Sequence, residues 1–135
     1  MIKILTFSIL AAFVSGQAAD LSPRFVKALH MVETSGRLGP IRGDKNSALG
    51  SLQIHRKCWQ DAIEFNKSIG GRYEDCARHD YSVKIFTAYL KRYGQRFIDD
   101  QDYESLARIW NGGPQGYNNP KTKLYAQRVM RYMRK

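Results

Sequence analysis

One break in an otherwise helical pattern decides what this chain can fold into. Residues 36–53, "GRLGPIRGDKNSALGSLQ", hold four glycines and a proline among small and polar residues. No helix survives that density of breakers, so the stretch is expected to form turns and a small, poor β-hairpin. Apolar residues at helical spacing flank it on both sides. Ser22-Pro23 places a cap and a proline at the start of a first helix running to about Ser35, where Gly36 and Gly39-Pro40 stop it. Further helices are expected over 55–68, 79–93, 102–111 and 122–134, with Gly70-Gly71 separating the first two. The spacing therefore predicts an α+β fold, mostly α, of about five helices and one small irregular lobe.

The first eighteen residues belong to a different category. Lys3 precedes a nearly unbroken apolar run over 4–14, and Gly16-Gln17-Ala18 offers small residues for cleavage. This pattern is expected to be an export signal cut after Ala18, leaving 19–135 as one compact domain. No second apolar stretch of spanning length follows. The net charge is +10; without Lys3, 21 cationic side chains face 12 acids, which is +9. Such a chain suits anionic partners, and export makes an anionic cell-wall polymer a better match than nucleic acid. No helix pairs a long basic face with a wide apolar one, so stable membrane insertion is not expected. The chain is expected to act as a monomer. Cys58 and Cys76 are an even pair in an exported chain, and the simplest expectation is one disulfide worth about 3 kcal/mol. His30 and Glu33 share a helix face without an H-E-x-x-H motif, and Cys76 and His79 have no second ligand pair; neither a metal nor another cofactor is expected.

Two acids stand where the break begins. Glu33 closes the first helix beside the stripe of Phe25, Leu29 and Val32, and Asp44 lies eleven residues on, among Gly43, Lys45, Asn46 and Ser47. An acid against apolar neighbours and a second in a polar turn is the pairing that glycoside hydrolysis needs. The first stays protonated and gives a proton to the leaving oxygen; the second stays ionised and attacks or stabilises the oxocarbenium-like centre.

Three stretches, "VETSGRLGPIRGDKNSALGSLQIHRKCW", "YSVKIFTAYLKRYG" and "ARIWNGGPQGYNNPKTKLY", occur in an order that resembles the invertebrate-type (destabilase-like) lysozymes and their bacterial relatives. The similarity covers about residues 25–130, and Asn-Gly-Gly-Pro with Thr122 eleven residues after Asn111 is its most specific part. The resemblance implies a lysozyme-like fold with a cleft between the helices and the small lobe. It also implies hydrolysis of the β-1,4 bond after N-acetylmuramic acid in peptidoglycan. By position Glu33 matches the general acid and Asp44 the second carboxylate. Ser47, Ser51, Gln53, Asn111, Gly112, Gly113 and Tyr125 match substrate-contacting positions. The chain departs from the family in having only two cysteines, Trp110 where a histidine is common, and Ala126 where a tryptophan often follows the tyrosine. A second, isopeptidase activity credited to some members uses a serine and a histidine; Ser47 matches the serine, but Trp110 removes a histidine, and that activity is not assigned. The competing expectations are a lytic transglycosylase, which needs only the glutamate, and a non-catalytic cationic wall-binding antimicrobial protein.

Overall fold

The computed structural model describes residues 18–135. The expected export signal therefore falls almost wholly outside the described residues. Five α-helices carry the fold: α1 Pro23–Thr34, α2 Arg56–Phe65, α3 His79–Asp99, α4 Tyr103–Gly112 and α5 Lys123–Met133. Between α1 and α2 lie three strands of two residues each, β1 Arg42–Gly43, β2 Ala48–Leu49 and β3 Ile54–His55. They form an antiparallel sheet in sequence order, with Gly43 opposite Ala48 and Ala48 opposite His55. The expected hairpin is present, and a third strand joins it just beyond the glycine-rich stretch. Among the described residues no helix is long and apolar enough to cross a membrane.

Local chemistry sets most of the boundaries. Pro23 opens α1, and Ser35 closes it in a left-handed conformation (φ 56°) that returns its N–H to the carbonyls of the last turn. Asp102 caps α4 by accepting from the Ser105 backbone N–H at 3.0 Å and from its hydroxyl at 2.6 Å. The second helix is shorter than its apolar pattern suggests. Asn66 turns its side chain onto the Ser68 N–H, ending α2 at Phe65 and leaving Lys67–Ile69 as a single 3-10 turn. α3, by contrast, runs six residues past its expected end. Gly94 kinks it (φ −140°) without stopping it, because α4 packs closely there and Ile98 is buried beyond the kink. A Cβ on Gly94 would sit 3.0 Å from the Leu106 side chain.

The core lies where α1, α3, α4 and α5 meet. Phe25, Leu29, Phe86, Leu90, Leu106, Ile109 and Val129 are wholly buried, and the Phe25 ring lies 5.3 Å from Tyr103 and 6.0 Å from Phe86. Leu49, Leu52 and Ile54 carry this core under the sheet. Each apolar side chain of that size contributes roughly 1.5–3 kcal/mol on burial. Polar ties fix the lobe to the helices: the Thr34 hydroxyl donates to the Ser51 carbonyl at 2.8 Å, and the Tyr73 hydroxyl to the Ile54 carbonyl at 2.7 Å.

The expected disulfide is corrected here. Cys58 and Cys76 are both free thiols, one half-buried on α2 and the other fully buried in the 3-10 turn Tyr73–Ala77. Burial pushes both thiols up, Cys76 to about 12, so each stays protonated as a small apolar core residue. Export and an even count speak to a compartment, whereas pairing depends on side-chain geometry, and the buried hydrogen bonds already fasten this lobe.

Candidate active site

A cleft of about 840 Å³ separates the sheet lobe from the helices, and both Glu33 and Asp44 line it. Glu33 sits in the last turn of α1. Its Oε1 accepts from the Tyr125 hydroxyl of α5 at 2.5 Å and from the Trp110 indole N–H of α4 at 3.2 Å. Burial raises the Glu33 pKa, while the Tyr125 and Trp110 donors and the charge of Arg128 pull the other way without cancelling it. With two donors already on Oε1, the acidic proton belongs on Oε2. Burial, and then the Glu33 charge, hold the Tyr125 hydroxyl well above its ordinary value, so it remains a donor.

Asp44 lives in the opposite setting. Its side chain is 68% exposed, and its Oδ2 lies 3.4 Å from His55 Nε2 on β3. The turn that presents it is unusual, because Asp44, Lys45 and Asn46 all have positive φ, at 49°, 54° and 69°. Non-glycine residues visit that region at a cost, and three in succession persist only where the surroundings demand it. The Ser47 backbone N–H (3.1 Å) and hydroxyl (2.6 Å) both donate to the Asp44 carbonyl and close the turn.

The remaining expected residues divide. Gln53, Asn111, Gly113 and Tyr125 line the cleft, together with Pro114. Gln53 also braces the lobe: its amide donates to the carbonyls of Gly50 (2.9 Å) and Ile41 (3.3 Å), and its Oε1 occupies the space a Cβ on Gly43 would need. Ser51, Ser47 and Gly112 are not part of the cleft wall. Ser51 is fully buried with its hydroxyl 2.7 Å from His79 Nδ1, and Ser47 serves the turn. Gly112 packs under Thr122, whose Cγ2 would lie 2.5 Å from an added Cβ. Ala126 is wholly buried, so the missing tryptophan leaves no hole at the surface.

Sequence reasoning missed three contributions. Trp110 looked like core, and it does pack edge-on against Phe86 at 4.6 Å, yet its N–H reaches the acid. His55 carried no signal beyond its place one strand from Asp44. A polar group on α2 and α3, Lys57, Asp61, Glu64 and Arg92, extends the cleft wall. The i, i+4, i+7 spacing of the first three marks one helix face, but nothing in the sequence pairs that face with Arg92.

A helical body and a small sheet, with a half-buried acid facing an exposed one across a cleft, define the lysozyme class of fold. The comparisons narrow it. Over 111 residues the chain is 35% identical to "Lysozyme 1" of Crassostrea virginica, an alignment covering 81% of this chain and 58% of that relative. It is 32% identical over 124 residues to a lysozyme of Magallana gigas, covering 90% and 87% of the two chains. The crystal structure of Tapes japonica lysozyme superposes with a TM-score of 0.65 at 28% identity, over 80% of this chain and 87% of that one. A chain from the complex of Aeromonas hydrophila PliI with Meretrix lusoria lysozyme shares the fold at a TM-score of 0.69 and 24% identity, over 85% and 93% of the two chains. No family model matches. The chain belongs to the invertebrate-type lysozyme family.

Proposed function

We propose that this protein is an exported muramidase that hydrolyses the β-1,4 bond between N-acetylmuramic acid and N-acetylglucosamine in peptidoglycan. The observation that carries the reading is the contrast across the cleft: a half-buried, doubly hydrogen-bonded Glu33 with a raised pKa facing a solvated Asp44. Glu33 Oε2 gives its proton to the glycosidic oxygen as the bond to C1 breaks. Asp44, ionised, attacks or stabilises the positive C1 centre, with His55 holding its carboxylate. Water then adds at C1, and Glu33 takes the proton from that water, which restores both carboxyl groups. Asn111, Gly113 and Pro114 offer a wall that a sugar ring can approach closely. The apolar leader over 4–14 supports export, and residues 19–135 act as the catalytic unit. The surplus of cationic side chains, including Arg131 and Arg134 on and after α5, draws the enzyme to an anionic wall.

The products of purified peptidoglycan, weighed by mass spectrometry, test this. A reducing N-acetylmuramic acid end, heavier by one water than the anhydro form, is expected. Anhydro ends would instead establish a lytic transglycosylase, and no new ends would establish a binding protein.

A further inference from the structure

The cleft does not stop at the two acids. From Glu33 its wall passes to Trp110, then to Tyr89 edge-on at 5.8 Å, then to Tyr93 at 4.9 Å, whose hydroxyl donates to Asp61 Oδ2 at 3.1 Å. Along that path the chemistry changes. Near Glu33 the lining is aromatic, amide and glycine, as an uncharged sugar requires. Between α2 and α3 it carries Lys57, Asp61, Glu64 and Arg92. Where the lactyl carboxyl is taken up in the amide to the peptide, the glycan backbone offers no charge to meet these groups.

We propose that this arm of the cleft binds the carboxylates of the peptide borne by the glycan, with Lys57 and Arg92 as the receiving cations. The inference rests on the muramidase reading and names the part of the substrate that the far arm selects. Asp61, 8% exposed, is the anchor: its Oδ1 accepts from Lys57 Nζ at 2.9 Å and its backbone carbonyl from Arg92 at 2.8 Å. Both Asp61 oxygens are thus spent within the protein, whereas both cations keep unused donors. The hydrogen bond it donates to Asp61 raises the Lys57 ammonium above its ordinary value and keeps it charged. Arg92 reaches Glu64 only at 3.4 Å, and that carboxylate is 67% exposed. A ligand carboxylate that displaces it meets a planar two-toothed donor, the geometry guanidinium groups bind best. Tying α2 to α3 accounts for Asp61 and its contact with Arg92. It does not account for Lys57, 78% exposed on a helix surface, where an i, i+4 pair contributes little.

The test compares kcat/KM on soluble glycan strands bearing their peptides with kcat/KM on the same strands after the peptide carboxylates are converted to carboxamides, which leaves the lactyl groups amide-linked and uncharged. Wild type is expected to prefer the strands with free peptide carboxylates. Lys57→Gln should lower that preference about 5-fold, as loss of one exposed charge contact predicts. Arg92→Lys, which keeps the charge but loses the fork, should lower it at least as much. Lys67→Gln removes one charge from an exposed turn outside the cleft and should leave the preference intact. The effect should appear in KM, not in kcat. Equal preference in wild type and Lys57→Gln, or an equal fall in Lys67→Gln, overturns the inference. Failure of wild type to cleave either substrate overturns the muramidase reading itself.

Discussion

The two sides of the cleft present the same functional group in opposite ways. On the helical side, Glu33 grows from an ordinary helix end, is half-buried, and shares one oxygen between two fixed donors from α4 and α5. On the sheet side, Asp44 stands in solvent on a turn of three left-handed residues with an imidazole 3.4 Å away. The helical side uses regular backbone to create an unusual electrostatic environment. The sheet side uses unusual backbone to hold its carboxylate out in solvent. Two carboxylic acids on one cleft thereby sit in contrasting surroundings, the arrangement that two-carboxylate glycoside hydrolysis exploits.

The largest effect should come from removing the proposed proton donor. Glu33→Gln is expected to lower kcat by about 10²–10⁴-fold, and Asp44→Asn by less, on a soluble oligosaccharide. A larger loss in Asp44→Asn would reverse the assignment of roles. Stability should move the other way. A carboxyl whose folded pKa is raised contributes fully below its unfolded pKa, near 4.3, and loses that contribution as pH rises through the folded value. At neutral pH Glu33→Gln should therefore melt no lower than wild type, and any advantage should vanish below about pH 4.

A smaller effect sharpens the helical side alone. Tyr125→Phe removes a hydrogen bond that favours the ionised form of Glu33. The Glu33 pKa should climb further, and the alkaline limb of the kcat/KM profile should shift to higher pH; a shift to lower pH would contradict the geometry. The smallest effect concerns the turn. Lys45 is exposed at φ 54°, so Lys45→Gly should change stability by less than about 1 kcal/mol in urea unfolding, and not unfavourably. Lys45→Val, β-branched in the same conformation, should lose more than about 1 kcal/mol; indifference to valine would show that the turn adapts freely.

How much of this was legible in the sequence follows the range of the interactions. Pro23 and the glycines of the small lobe act on near neighbours and marked their elements, although the expected Ser22 cap makes no side-chain hydrogen bond. The helix expected to end at 93 runs on through Gly94 with a kink, because α4 packs against it from twelve and fifteen residues on. The Glu33 pKa is raised by burial and partly held down by donors from Trp110 and Tyr125, 77 and 92 residues away, and no spacing rule joins them. Ser51 and Gly112 lay inside the right motifs, yet one faces His79 and the other Thr122, because a motif fixes the chain's path and not each side chain's outlook.

The sheet that carries Asp44 has two residues per strand, so few ladder bonds hold it as a unit. Amide exchange should therefore find it opening at lower free energy than the core of α3, as a separate cooperative segment. The working cleft then exists only while two units of unequal persistence are closed together. Gly50 N–H on Ile41 and the Gln53 amide hold the less durable unit together, and Thr34 on Ser51 anchors it to α1, so these contacts set that lifetime. Substitutions at these contacts would tune how often the two carboxyl groups meet without altering either of them.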